Sequence, residues 1–177
     1  MKKLSPVEER FILHWGEMGV RWGINRTVAQ IHALLFISPE PLTAEDICDT
    51  LGVARSNVSN SLRELQNWKI VKVVHVMGDR RDHFESLKDV WELFRVVLDE
   101  RKRREIDPTL LVLKECIERA ARDKETSEYT EERLRDLLGF FETTNGWYEQ
   151  IRKWPTSTVN SFLRLGDKAK KLLGLGA

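Results

Sequence analysis

The sequence predicts a mainly α-helical protein that carries one small two-stranded β-hairpin. Three observations lead there. Apolar residues recur at three-and-four spacing over most of the chain, the period of amphipathic helices. One segment, Ile70-Val71-Lys72-Val73-Val74-His75-Val76, changes to a β-branched pattern typical of a strand. Residues 42–68 read as a short helix, a glycine turn and a second helix.

The bulk numbers agree with a folded, water-soluble chain. Its 177 residues suffice for one or two small domains with a real core, and 41% hydrophobic against 32% charged residues is a globular balance. The longest unbroken apolar run, Ala33 to Ile37, is far too short to cross a bilayer, and no apolar run follows Lys2-Lys3 as a signal peptide would require. Only two cysteines occur, Cys48 and Cys116, with no metal-ligand spacing. These features lead to the expectation of a cytoplasmic protein that neither enters membranes nor needs a metal or cofactor. A net charge of +1 rules out a polycation, so any nucleic-acid contact must come from a local basic face.

Ser5-Pro6 is an N-cap followed by a first-turn proline, and Val7, Phe11, Trp15, Met18 and Trp22 form one apolar stripe behind it. A second helix covers residues 25–37 and stops at Ser38-Pro39, because proline disfavours helix in the residue before it. Thr43 and Asp46 make a capping box for a short helix whose inner stripe is Ala44, Ile47, Cys48 and Leu51, and Gly52 closes it as a left-handed cap. The next helix runs from about Ala54 to Trp68, with Ala54, Val58, Leu62 and Leu65 inward. The strand over 70–76, a polar turn Met77-Gly78-Asp79-Arg80-Arg81-Asp82 and a returning strand His83-Phe84-Glu85 make a hairpin, or wing. Helix resumes at Leu87, with Val90, Trp91, Phe94, Val97 and Leu98 on one face. Asp107-Pro108 predicts a break or kink, then comes a helix with Leu110, Leu113, Ile117 and Ala120 inward. A long helix from about Thr130 carries Leu134, Leu137, Leu138, Phe141, Tyr148 and Ile151, and a last helical segment spans Thr156 to about Leu173.

The helix over 54–68 carries the functional signal. At about 100° per residue, Ser56, Asn60, Arg63 and Asn67 fall opposite the apolar stripe, flanked by Asn57 and Ser59. Serine and asparagine exchange hydrogen bonds with base edges, and arginine grips guanine with two. The first residues of a helix lying in a major groove reach deepest, which favours Ser56, Asn57 and Asn60 for base contact. Arg55, Arg63, Lys69 and Lys72 surround this face against Glu64 alone, a local excess suited to phosphates. In the wing, Arg80 and Arg81 sit at the turn, where an arginine enters a minor groove, with Asp79 and Asp82 placed to orient them.

Residues 25–87 resemble a MarR-type winged helix. Leu42-Thr43-Ala44-Glu45-Asp46-Ile47, Ser56-Asn57-Val58-Ser59 and Asp79-Arg80-Arg81 carry the likeness. Gly16-Glu17-Met18-Gly19 with Trp22-Gly23-Ile24-Asn25-Arg26 resembles the GbsR-type branch more narrowly, and the likeness covers about the first half of the chain. It implies a homodimeric transcriptional regulator, usually a repressor, whose outer helices form the dimer; some members of this branch answer to osmolyte precursors such as choline. The expected division is a helix at 1–22 joining the dimer interface, a winged helix-turn-helix DNA-binding domain at 23–86, and a helical dimerisation and effector region at 87–177.

The remaining residues carry less. Trp22, Trp91 and Phe94 could form an aromatic cage for a quaternary ammonium effector, against the plainer reading of core or interface aromatics. His14, His32, His75 and His83 lack metal spacing, and Arg101-Lys102-Arg103-Arg104 reads as a solvated helix face. No phosphate loop, nucleophile elbow or paired-histidine motif occurs, so the sequence does not read as an enzyme. The expected function is a dimer that binds a pseudo-palindromic site on double-stranded DNA, responding to a small-molecule effector. The alternative is a winged-helix scaffold that binds protein.

Overall fold

A computed structural model describes residues 4–159, 161, 162 and 165. Its elements run α1 (Pro6–Arg21), α2 (Arg26–Ile37), β1 (Leu42–Thr43), α3 (Ala44–Leu51), α4 (Arg55–Asn67), β2 (Val71–Val74), β3 (His83–Ser86), α5 (Val90–Arg101), a π-helical turn (Lys102–Ile106), α6 (Asp107–Ala120) and α7 (Glu128–Ile151). The chain is mainly helical with one small antiparallel sheet. It divides into two compact units, Met1–Val97 and Leu98–Ala177, and the boundary falls inside α5.

Local chemistry sets the helix ends in the first unit. Ser5 caps α1 in a full capping box with Glu8, and Asn25 caps α2 through the Thr27 amide. Thr43 and Asp46 form the box that starts α3: the Asp46 amide donates to Thr43 Oγ1 at 3.1 Å and the Thr43 amide donates to Asp46 Oδ2 at 2.9 Å. Gly52 ends α3 at φ 64°, a left-handed conformation that only glycine adopts without strain. Lys88 closes α2 from a distance, its ammonium donating to the carbonyls of Leu35, Phe36 and Ser38 at 2.8, 3.0 and 2.6 Å. These carbonyls belong to the end of the helix, where no amide of the next turn reaches them.

The core of this unit is built on α2, which buries Val28, Ile31, Ala33, Leu34 and Leu35 against Ile47 of α3, Val58, Leu62 and Leu65 of α4, and Phe84 of β3. Ile31, Ile47 and Val58 are fully buried, and each such side chain contributes about 1.5–3 kcal/mol. The sheet order is β1-β3-β2, with Val73 and Leu42 both opposite Phe84. The predicted hairpin therefore has a third strand. Two-residue β1 is too short to show a period of its own, and Thr43 both pairs with His83 and caps α3.

Several predicted stripes are displaced. On α1 the buried line is Ile12, Gly16 and Gly19, with Phe11 and Trp15 half-buried, while Val7 is exposed. The reason is the contact with α2: a Cβ on Gly19 would lie 2.5 Å from Ala29 Cβ, so the helices meet where α1 has no side chain. On α4, Ala54 is the exposed N-cap and Ser61 joins the buried stripe instead. On α5, Leu93 and Val96 pack on the core, whereas Val90 and Phe94 are exposed.

In the second unit, α6 buries Leu113, Ile117 and Ala120 as its spacing predicts, but no residue of α7 is buried. Helix continues through Asp107-Pro108 by way of the π-helical turn, whose shifted hydrogen bonding accompanies the amide that Pro108 lacks. Tyr148 donates to Asp99 Oδ1 at 2.7 Å, and Lys102 pairs with Asp107 at 2.6 Å and Glu149 at 3.5 Å. The expected last segment is helical at residues 156–159, 161, 162 and 165; the rest of it lies outside the described residues.

Candidate nucleic-acid interface

The site is the outer face of α4 with the wing beside it. Because Val58, Leu62 and Leu65 are held in the core, the opposite side of the helix must face solvent. Arg55, Ser56, Asn57, Asn60 and Arg63 are exposed, and Ser59 is half-buried. Arg63 Nη1 reaches Asn60 Oδ1 at 3.5 Å, so the two side chains lie along one line of the helix surface. A groove of about 330 Å³ runs between α4 and the sheet, lined among others by Arg55, Ser59, Arg63, Gln66, Arg81 and Asp82.

The electrostatics differ from a count of charges along α4. Glu45 of α3 pairs with Arg55 at 3.1 Å, and Glu85 of β3 pairs with Lys72 at 3.1 Å. Two of the four cations around the helix are thus partly offset by acids from neighbouring elements, which only the folded chain reveals. Lys69 is exposed at φ 61°, in the turn where α4 ends and its amide donates to the Gln66 carbonyl at 2.8 Å.

The two wing arginines have separate roles. Arg81 folds back on Asp79, with Nε at 3.0 and 3.1 Å from the two carboxylate oxygens and its amide at 2.9 Å from Oδ1. These hydrogen bonds hold the Asp79 carboxyl well below the usual range and raise the Arg81 guanidinium. His83 fixes the same strand end, its Nδ1 lying 3.0 Å from the Arg81 carbonyl. Arg80 is exposed and has no ion pair among the described residues. The internal ion pair expected to orient both arginines orients Arg81 alone. The tight turn itself lies just before them, where the Asp79 amide donates to the Val76 carbonyl at 3.1 Å.

Of the three aromatic residues expected to form a cage, Trp91 and Phe94 pair with each other and Trp22 pairs with Trp15 instead. Trp22 meets Trp15 edge to face at 5.8 Å, and Trp91 meets Phe94 edge to face at 6.4 Å. Sequence reasoning missed Glu45 and Gln66, which line the groove. Glu45 was legible as an acid in the first turn of α3, but its approach to Arg55 depends on how α3 and α4 cross.

Comparison with known proteins falls on the same residues. Residues 22–82, which span α2, the helix-turn-helix and most of the wing, match the MarR family. The chain is 20% identical over 137 residues to the putative HTH-type transcriptional regulator YvaV of Bacillus subtilis (strain 168), covering 76% of this chain and 77% of that protein. It is 18% identical over 135 residues to the HTH-type transcriptional repressor GbsR of the same organism, covering 75% and 74%. A crystal structure of a transcriptional regulator shares its fold at TM-score 0.58 and 18% identity, covering 83% of this chain and 96% of that one. With a helix-turn-helix and a wing over the matched segment, residues 22–82 form a MarR-family winged-helix domain, and the chain around them is similar to transcriptional regulators that include GbsR.

Proposed function

We propose that the protein is a homodimeric, sequence-specific DNA-binding repressor. The observation that carries this reading is the exposed Ser56, Asn57, Asn60 and Arg63 face of α4, with Arg80 exposed on the wing beside it. A helix of this composition offers donors and acceptors to base edges in a major groove, and the wing offers a cation to the flanking backbone or minor groove. A face built to bind protein would be richer in apolar and aromatic residues.

What supports the dimer is apolar surface that each unit leaves exposed. Leu13 and Val20 on α1, and Leu111, Phe140 and Trp147 in the second unit, are each at least half exposed. Apolar surface of this kind marks an association site. One winged helix also covers only half of an operator, and two-fold pairing places the second α4 one duplex turn away. Support for control by a cationic effector on Trp22, Trp91 and Phe94 comes from the Trp91–Phe94 aromatic pair and the 52% exposure of Phe94.

Selection of bound duplexes from a random pool by the full chain tests the reading. Enrichment of a pseudo-palindrome with half-sites about 34 Å apart is the expected result. Enrichment of a lone half-site would remove the dimer, and no enrichment would remove specific DNA binding and favour the protein-binding scaffold.

A further inference from the structure

We propose that Met77 is a minor-groove contact: at the wing tip its side chain packs between the sugar walls of the groove beside Arg80, so that the wing responds to groove width. The inference rests on the DNA-binding reading above and adds an apolar contact to it.

Met77 is 102% exposed and Val76 is 42% exposed. Folding therefore gains nothing from the Met77 side chain, which stands at the outermost turn of the loop joining β2 and β3. The backbone there is defined. The Asp79 amide closes the turn on the Val76 carbonyl at 3.1 Å, and Gly78 at φ 87° supplies the left-handed third position of a type II turn. The Arg81–Asp79 ion pair secures the descending side of the loop. The tip thus presents a thioether and, three residues on, an exposed guanidinium.

This pairing fits a minor groove. Narrow grooves concentrate negative potential and attract arginine, while their walls are apolar sugar edges. Methionine is among the apolar side chains that enter minor grooves. A protein partner fits less well, because two apolar side chains fall far short of the roughly 800 Å² that each side of a stable interface buries.

The test uses the full chain and the duplex it selects. Met77→Ser is expected to bind roughly tenfold more weakly with an unchanged dependence on salt, since an apolar contact releases no counterion, and Met77→Leu should stay within about twofold. Arg80→Ala should instead lower the log–log salt slope by about one. Limited peroxide oxidation followed by mass spectrometry reads the contact directly. The Met77 sulfoxide should form at least about fivefold more slowly in the complex, with Met18 as internal reference. Wild-type affinity in Met77→Ser, or equal Met77 oxidation with and without bound DNA, overturns the proposal and leaves DNA binding by α4 standing. Absence of any selected duplex removes both.

Discussion

Replacing Gly19 by alanine is expected to lower the free energy of unfolding by about 1–3 kcal/mol, the cost of overpacking a close contact. Helix propensity alone points the other way, since alanine favours a helix over glycine by up to about 1 kcal/mol. Packing wins because the new Cβ would lie 2.5 Å from Ala29 Cβ, an atom fixed to the α2 backbone, so the helices themselves must separate. At Gly16 the nearest atom is Gln30 Cγ at 2.7 Å, on a side chain that can swing aside. Gly16→Ala should therefore be neutral or stabilising. Adding Ala29→Gly to Gly19→Ala should recover part of the loss in urea unfolding, a coupling that distant sites do not show. Additive effects, or equal responses at Gly16 and Gly19, would contradict the close α1–α2 contact.

Stability is expected to fall by roughly 3 kcal/mol as the pH drops from 6.5 to 4, from His32 alone. His32 is 6% exposed, its Nε2 has no hydrogen-bond partner among the described residues, and its ring lies 6.4 Å from Trp15 and 6.2 Å from Phe36. Burial, followed by the nearby Lys88 ammonium, lowers its pKa from 6.5 to about 4. Between those values the unfolded chain binds a proton that the folded chain refuses. The contribution is thus complete above pH 6.5 and is lost as the pH falls towards 4. The carboxylates held low by hydrogen bonds, Asp46 with Thr43 and Glu100 with Arg103, lose theirs only below the ordinary carboxylate range. Unfolding measured at pH 7 and 4.5 should show the difference shrinking in His32→Gln; the same slope in that variant would assign the acid sensitivity elsewhere.

Legibility in the sequence followed the kind of contact. Thr43, Asp46 and Gly52 act through contacts three or four positions apart, so the helix-turn-helix could be read from local chemistry. Val58, Leu62 and Leu65 form a periodic apolar stripe, which placed Ser56, Asn60 and Arg63 outside. The α1 interface was misread because its closest point is Gly19 against Ala29, and glycine carries no hydrophobic signal; the Gly16–Gly19 spacing on one helix face was the available clue. The pairing of Arg55 with Glu45 and Lys72 with Glu85 joins different elements, so counting charges along α4 overstated its free cations. The apolar spacing of α7 was readable, but spacing alone does not tell burial within one chain from burial against a second.

DNA reading by the outer face of α4 is tested by titrating the selected duplex with the wild type, Asn60→Ala and Arg63→Ala. Both side chains are exposed and lie outside the core, so both variants should fold as the wild type does. Each should lose roughly 1–3 kcal/mol of specific binding, about 5- to 150-fold in affinity, with relaxed preference at the contacted base pair. Because Arg63 and Asn60 lie 3.5 Å apart, the double variant should lose less than the sum of the two. Wild-type affinity and base preference in both single variants would show that this face of α4 does not read DNA.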